Sequence, residues 1–299
     1  LLLGLERQFE LVSASSSRQA ASSKKVGYVV PPLHYSIQLA QRGSFFGLKV
    51  VEAPPQYALA DMPEALEDNG SMCVVRVRAV GLNFRDVLNV LGEYPGDPGP
   101  PGADCAGDVV ATVSNETTEV GYALAHGTRV FGVGSGSLSL YIEASCILFA
   151  QMKDSMSYSF AASLPIVVTT VHEALVRLAR LSRGQRVLIH AATGGVGLTA
   201  VHYAQRLGCA QIIGTAGTLR KRKLLWSKQV HDVASSRDAQ AFGGDMSTQM
   251  RSSVDVVLNS LSGGFIAASM EMVGVYGHFC EIGKRAVWCH EESLSAHPG

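Results

Sequence analysis

The 299-residue chain has no long apolar segment and no excess of charge of either sign. No apolar run reaches the ~18 residues of a membrane-spanning helix, so the sequence predicts no membrane span. Lys and Arg together number 25, as do Asp and Glu, so no overall field attracts nucleic acid or an anionic membrane. The composition, 47% hydrophobic and 17% charged, excludes a disordered protein. Any anion site must come from a local cluster of basic side chains.

The sequence also lacks closely spaced cysteines. It has six, and the closest two, Cys280 and Cys289, are nine positions apart. This spacing fits neither a disulfide framework nor a Cys-x-x-Cys metal site, and it indicates a reducing, cytoplasmic location. The chain begins with Leu-Leu-Leu rather than Met and has no basic start of a signal peptide, so we expect a piece of a longer chain.

Three compositional zones follow one another along the chain. Residues 1–42 include six serines among the eleven positions 13–23, which predicts a linker or the tail of a preceding region. Residues 43–150 carry short β-rich runs broken by glycine and proline, which predicts a small barrel or sandwich. After residue 151, strand and helix patterns alternate, which predicts a doubly wound parallel sheet.

A glycine-rich turn lies between a predicted strand and a predicted helix of the third zone. Residues 191–197 read Ala-Ala-Thr-Gly-Gly-Val-Gly. Glycines at this point let backbone N–H groups approach a pyrophosphate and let the helix pack closely on the sheet. A purely structural turn uses the same residues, but the strand before and the helix after favour a dinucleotide site.

The next predicted strand narrows the choice of cofactor. An NAD enzyme usually carries Asp or Glu about 20 residues further on, where it binds the ribose 2′-hydroxyl. Residues 214–218 here read Gly-Thr-Ala-Gly-Thr, without an acid, and Arg-Lys-Arg-Lys follows at 220–223. Basic side chains hold a 2′-phosphate through charge-assisted hydrogen bonds. We therefore expect NADPH, the alternative being that these charges only solvate a helix face.

Five segments together resemble the enoyl reductase domains of type I polyketide synthases. They are Gly-Leu-Asn-Phe-Arg-Asp-Val-Leu at 81–88, Leu-Gly-Glu-Tyr-Pro-Gly at 91–96, His-Ala-Ala-Thr-Gly-Gly-Val-Gly at 190–197, Val-Asp-Val-Val-Leu-Asn-Ser-Leu at 254–261 and Glu-Ile-Gly-Lys at 281–284. The fatty acid synthase enoyl reductase is similar, and both belong to the medium-chain dehydrogenase/reductase superfamily. The match runs from about residue 42 to residue 299.

The resemblance implies a fold and an activity. The fold is α/β, with a GroES-like β-barrel substrate domain at 43–150 and a Rossmann NADPH-binding domain at 151–283. Residues 284–299 would begin a return segment that is truncated at the C-terminus. The implied reaction is NADPH-dependent reduction of a trans-2-enoyl thioester on an acyl carrier protein, with neighbouring synthase domains as further partners. The sequence does not separate a polyketide from a fatty acid product.

The matched motifs also imply roles for individual residues. Lys284 and Tyr94 are the expected catalytic residues, as proton donors or substrate-polarising groups. The non-catalytic alternative for Lys284 is a solvated side chain at the end of a strand. The alternative for Tyr94 is an aromatic ring packed on the adjacent proline. Expected cofactor contacts fall into three groups: residues near the nicotinamide or its ribose, the glycine turn, and the surroundings of the 2′-phosphate. The residues near the nicotinamide or its ribose are Asn83, Thr170 and Asn259. The glycine turn comprises Thr193, Gly194, Gly195, Val196 and Gly197. The 2′-phosphate would be surrounded by Thr215, Thr218, Lys221 and Arg222.

Departures from related patterns exclude a metal and leave other functions open. Zinc alcohol dehydrogenases have Cys in the place of Asn83 and Gly-His-Glu where this chain reads Gly-Ala-Asp at 102–104, so we expect no metal. Ala286 stands where enoyl reductases usually carry an acid. The alternatives are a stand-alone quinone oxidoreductase-like reductase, and a degenerate domain that binds NADPH or scaffolds its neighbours without turnover.

Overall fold

The computed structural model describes residues 34–53, 71–113, 124–249 and 253–283. The chain divides after Ala162 into two compact units, Leu1–Ala162 and Ser163–Gly299. Within the described ranges, no helix is long and apolar enough to cross a membrane.

The described strands of the first unit pair in an antiparallel manner. A hairpin joins β1 to β2, and a separate five-stranded sheet has the order β6-β3-β4-β5-β7. The strands are β1 (His34–Leu39), β2 (Leu48–Ala53), β3 (Met72–Gly81), β4 (Asp104–Val113), β5 (Arg129–Val133), β6 (Tyr141–Ser145) and β7 (Phe149–Gln151). Strand β3 is one of the β-rich runs of the second compositional zone, and register shifts interrupt its pairing with β4 after Val74 and after Val77.

Thiols contribute to the core of the antiparallel sheet. Cys73, Cys105 and Cys146 are each almost fully buried, and they pack with Val75, Val109 and other apolar side chains. Burial raises the pKa of Cys105 to about 12 and also raises that of Cys73. These cysteines behave as small hydrophobic residues.

The described part of the first unit also contains two α-helices. Helix α1 (Phe84–Leu91) follows β3 directly and ends at Gly92, whose φ of 71° gives the left-handed C-cap common at helix ends. Helix α2 (Tyr158–Ala162) packs its alanines against Ala106 and Met152 of the sheet region. The sequence-based domain bounds at 150 and 283 stay predictions.

The second unit is a parallel sheet with helical crossovers. Its described strands are β8 (Arg186–Ile189), β9 (Gln211–Ala216), β10 (Asp232–Ser235), β11 (Val254–Asn259) and β12 (Val273–Glu281), in the order β10-β9-β8-β11-β12. The helices are α3 (Pro165–Val171), α4 (Gly195–Leu207), α5 (Leu219–Ser227), α6 (Ala239–Gln249) and α7 (Gly264–Met270). This is the Rossmann order 3-2-1-4-5, and dinucleotides bind at its switch point beside the first strand. The predicted fold class is confirmed.

Side chains from β8 enter both layers of the second unit's core. Val187 and Ile189 pack into a cluster with α4, whereas Leu188 packs into a second cluster with Phe242 and Met246 of α6. Burial on both faces explains why this strand reads as a continuous apolar run instead of an alternating one.

The helical segment that begins with α3 changes its winding partway. After α3, residues His172–Leu178 form a π-helix, with Ala179 N–H bonded to Ala174 C=O five positions back. The wider turn carries Leu178 away from the buried side of Leu175, so Leu178 is exposed, whereas a regular 3.6-residue repeat would place it on the face of Val171 and Leu175.

Candidate functional site

The turn between β8 and α4 presents backbone N–H groups at the carboxyl edge of the parallel sheet. Gly194 N–H donates to Ala191 C=O at 2.8 Å, which closes a tight turn, and Gly194 is the N-cap of α4. The first N–H groups of a helix have no acceptor within the helix. Those of Gly195, Val196 and Gly197 are therefore available for a diphosphate, favoured by the positive end of the helix dipole.

The turn has little room for side chains, as a dinucleotide site requires. A Cβ on Gly197 would lie 2.5 Å from Ala192 Cα, so only glycine lets α4 approach β8 this closely. A Cβ on Gly195 would lie 3.1 Å from Val167 Cγ1 of α3. Gly194 and Gly195 are both exposed, and without side chains they leave the surface of the turn open. These residues fit a nicotinamide dinucleotide.

Thr215 of β9 is buried and faces the turn from the side of the sheet. Its Oγ1 accepts a hydrogen bond from Ala191 N–H at 2.9 Å and lies 3.3 Å from His190 Nδ1. Ala192 N–H donates to the backbone C=O of Thr215 at 3.0 Å. Thr215 therefore contacts the start of the glycine turn through both its side chain and its backbone.

The end of β9 carries the residues predicted to hold the 2′-phosphate. Thr218 is the N-cap of α5, and its Oγ1 accepts from Lys221 N–H at 3.3 Å. The Lys221 side chain is exposed. Arg222 is half-buried, with its Nε 3.4 Å from Ala216 C=O and its Nη2 3.9 Å from Asp245 Oδ2. The structure thus brings Thr218, Lys221 and Arg222 together at one corner of the sheet.

Arg237 lies at the same corner, and sequence reasoning missed it. Its Nε is 2.5 Å from the position that a Cβ on Gly217 would occupy, so the guanidinium lies directly over the end of β9. Arg237 follows β10, a four-residue strand that the sequence pattern did not reveal. The available signal was the Rossmann order, in which the residue after the third strand lies beside the end of the second.

Asn259 connects the ends of β11 and β12. The side chain is fully buried, and its Nδ2 donates to Leu261 C=O at 2.8 Å and to Glu281 Oε2. Gly283 N–H donates to Glu281 Oε1. The Asn259 amide therefore fixes the segment that leads out of β12, and its predicted approach to the cofactor ribose stays a prediction.

The remaining predicted contacts of the second unit lie near the turn or outside the described residues. Thr170 is half-buried on α3, the helix that supplies Val167 beside Gly195, and Thr193 is half-buried within the turn itself. Lys284, the predicted proton donor, lies outside the described residues.

In the first unit, Asn83 lies at the start of α1 among buried carboxylates. Its Nδ2 donates to Asp104 Oδ2 at 3.0 Å, and its backbone N–H donates to Asp86 Oδ2 at 2.8 Å. The other oxygen of Asp86 accepts from Gly102 N–H at 2.9 Å. Asp104 is almost fully buried. In the described part of the chain, no three His, Cys, Asp or Glu side chains form a group that could hold a metal ion.

Tyr94 lies in the turn-rich loop that follows α1. Arg85 Nη2 donates to Pro98 C=O, and Asn89 Nδ2 donates to Gly99 C=O at 2.9 Å. The Arg85 guanidinium carbon lies 5.9 Å from the centre of the Tyr94 ring, within cation–π range. Side chains of one helix thus position the loop, and the half-buried Tyr94 ring contacts the same arginine.

Known proteins match this chain over most of its length. A highly reducing polyketide synthase of Emericella nidulans is 37% identical over 233 residues, which cover 77% of this chain and 9% of that protein. The chain thus spans roughly a tenth of the length of the curated relatives that it matches. No protein family model matches it.

Solved structures also match most of this chain. The structure of CurK enoyl reductase is 33% identical, with a TM-score of 0.76, and the match covers 89% of this chain and 78% of that one. A mycobacterial structure complexed with NADPH is 25% identical, with a TM-score of 0.69 and coverages of 88% and 78%.

The chain belongs to the enoyl reductase family of the medium-chain dehydrogenase/reductase superfamily. The family predicted from the five sequence motifs is therefore confirmed. Membership places the chain among the oxidoreductases that act on a CH–CH bond.

Proposed function

We propose that this chain reduces a trans-2-enoyl thioester, carried on an acyl carrier protein, to the saturated acyl thioester with NADPH as the reductant. The proposed setting is a polyketide or fatty acid synthase, whose neighbouring domains supply the substrate and take the product. The synthase relatives and the CurK enoyl reductase structure support this setting.

One observation carries the choice of NADPH: the acid-free end of β9 has arginines on both sides. Arg237 lies over Gly217, and Arg222 follows in the first turn of α5. A carboxylate at this point would repel a 2′-phosphate, whereas guanidinium groups form charge-assisted hydrogen bonds with it. The NADPH in the mycobacterial neighbour supports the same cofactor class.

In this proposal, bound NADPH supplies a hydride to the β-carbon of the enoyl group. Negative charge then develops on the thioester oxygen and the α-carbon, and the chain must stabilise it and deliver a proton. Lys284 is proposed to provide a cation near the oxygen, and Tyr94 to provide a hydroxyl on the α-carbon side. The glycine turn holds the pyrophosphate, so that binding energy far from the reacting atoms fixes the reactive geometry.

The test combines cofactor binding with substrate choice on the purified protein. We expect NADPH fluorescence to show saturable binding that is tighter than for NADH. We then expect NADPH oxidation with an enoyl-pantetheine thioester and little oxidation with a quinone.

Other outcomes would favour the alternatives. Oxidation of NADPH by the quinone alone would make the chain a quinone oxidoreductase-like enzyme. Binding of NADPH without turnover of either substrate would favour a scaffolding domain. Equal affinity for NADPH and NADH would reject the proposed 2′-phosphate site.

A further inference from the structure

We propose that Thr215 and His190 are positioning residues that hold the glycine turn in its binding conformation, and that the Thr215 hydroxyl acts on the turn instead of on the 2′-phosphate. The inference rests on the proposed function in one respect, that the turn binds a dinucleotide. From its position after Gly214, Thr215 was expected to lie near the 2′-phosphate; here it is assigned to the support of the glycine turn.

Strand alternation places both side chains beneath the turn. Successive side chains of a strand point to opposite faces, so Thr215 shares a face with Ile213. His190 directly follows β8, its N–H donates to Leu258 C=O of β11 at 3.0 Å, and it continues the alternation on the face of Leu188. Leu188 and Ile213 pack together with α6 residues in the second core layer. The His190 ring accordingly lies 5.3 Å from the Phe242 ring and 6.2 Å from the Phe265 ring, measured between centres.

Ala191, the first residue of the turn, has a backbone conformation that needs support. Its φ is 45°, in the left-handed region that residues other than glycine seldom occupy. Its N–H donates to Thr215 Oγ1 at 2.9 Å, and its C=O accepts from Gly194 N–H at 2.8 Å. The Thr215 hydroxyl therefore fixes one side of the peptide unit on which the turn closes.

A directional hydrogen-bond chain fixes the Thr215 hydroxyl in turn. Thr215 Oγ1 accepts from Ala191 and can donate its own proton to His190 Nδ1, 3.3 Å away. With Nδ1 as acceptor, His190 Nε2 carries the single N–H proton of the neutral ring and donates it to Ser269 Oγ at 2.8 Å. Burial lowers the pKa of His190 to about 3, which keeps the ring neutral, as this chain of donors and acceptors requires.

The geometry separates Thr215 from the 2′-phosphate subsite. Thr215 is fully buried, and its hydroxyl is committed to Ala191 and His190. Loss of the hydroxyl would weaken the binding of the pyrophosphate by the glycine turn, and NADPH, NADH and ADP-ribose all contain this pyrophosphate. The loss would leave in place the contact of Arg222 with Ala216 C=O and the position of Arg237 over Gly217.

The experiment compares Thr215→Val, Thr215→Ser and Thr112→Val. Thr112 is a matched control, a half-buried strand threonine of the first unit whose hydroxyl donates to Leu124 C=O. We expect Thr215→Val to raise Kd for NADPH, NADH and ADP-ribose by one common factor, roughly 5- to 50-fold, the usual effect of an unpaired polar group. Thr215→Ser should restore most of the affinity, and Thr112→Val should leave it unchanged.

A second measurement needs no cofactor. Amide hydrogen exchange at Ala191 should speed up at least tenfold in Thr215→Val and less in Ser269→Ala, whereas Thr215→Ser should exchange like the wild type. Exchange is measured on natively folded protein at low temperature. If Thr215→Val is too unstable for titration, Ser269→Ala still tests the inference, because it removes only the last hydrogen bond of the series, from His190 Nε2 to Ser269 Oγ.

The outcomes distinguish this inference from the proposed function. Weakening of NADPH alone in Thr215→Val would make Thr215 a phosphate ligand and overturn the inference. Unchanged affinities together with unchanged exchange at Ala191 would also overturn it. A wild-type protein that binds no dinucleotide would reject the proposed function, and the exchange data would still decide whether Thr215 and His190 hold the turn.

Discussion

The guanidinium of Arg237 occupies the space that a side chain on Gly217 would need, with Nε 2.5 Å from the expected Cβ position. Arg222, at the same corner, has a carboxylate of Asp245 3.9 Å away. Within the part of the chain that the structure describes, no ion pair involves Arg237. Of the two arginines, Arg237 is thus the one whose charge is not shared with an acid, and the NADPH preference should depend on it.

Arg237→Ala should weaken NADPH binding by about 1.5–3 kcal/mol, the size of a hydrogen bond to a charged group, and leave NADH binding unchanged. Fluorescence titration of both cofactors measures this. Arg177→Ala is the control, since Arg177 is an exposed arginine of the same unit, paired with Glu173. An equal loss for NADPH and NADH would place Arg237 elsewhere in the site.

Replacing Lys221 and Arg222 together with Ala should weaken NADPH by about 2–4 kcal/mol, because two charge-assisted partners are removed. NADH affinity should change little, because it has no 2′-phosphate. Raising the salt concentration should narrow the difference between wild type and variant, since exposed charges are screened. A salt-independent difference would contradict an electrostatic role.

Lys284→Ala should lower kcat at least tenfold while NADPH affinity stays near wild type, because the cation is needed only where negative charge develops. Steady-state kinetics on an enoyl-pantetheine thioester, together with a cofactor titration, separate the two effects. A variant with normal turnover would return Lys284 to the role of a solvated side chain.

Tyr94→Val should alter the configuration of the product from an α-methyl enoyl thioester without abolishing hydride transfer. The hydroxyl is proposed to protonate the α-carbon from one side, and water can replace it from the other. Chiral chromatography of the product gives the answer. Unchanged configuration would leave Tyr94 as the ring that packs beside Arg85.

Stability of the second unit should fall below about pH 6.5. The pKa of His190 is lowered to about 3 by burial, so between pH 6.5 and 3 the unfolded chain binds a proton that the folded chain does not. Each pH unit in this window then removes about 1.4 kcal/mol of the free energy of unfolding. Urea unfolding at pH 7.5 and pH 5 should show a loss of about 2 kcal/mol from this residue. His190→Asn should reduce this loss of unfolding free energy between pH 7.5 and pH 5. An unchanged loss in the variant would contradict the assignment to His190.

The sequence predicted the elements around the glycine turn well, because local signals coincide there. Residues 187–189 of β8 are apolar on both faces of the sheet, and glycines mark both ends of α4. Strand β10 and helix α6 were missed. Strand β10 has only four residues, and α6 contains the pair Gly243-Gly244, which lowers helix propensity. Tertiary packing of Phe242 and Met246 overrides that propensity.

The site could be predicted only as far as residue types and order allowed. The acid-free stretch 214–218 indicated a 2′-phosphate, but propensity could not reveal that Arg237, which follows the neighbouring strand β10, lies over Gly217. The tasks of Thr215 and Asn259 also depend on partners distant in sequence, His190 and Glu281. Side-chain direction within a fold decides such roles, and a motif alone does not.

The three buried thiols of the antiparallel sheet provide a way to follow the unfolding of the first unit. A thiolate, not a thiol, attacks alkylating reagents, and Cys73 and Cys105 are kept in the thiol form by burial. A maleimide can therefore label these positions only after the strands separate. Mass spectrometry of labelled peptides would time the unfolding of the first unit alone, while cofactor binding follows the integrity of the second.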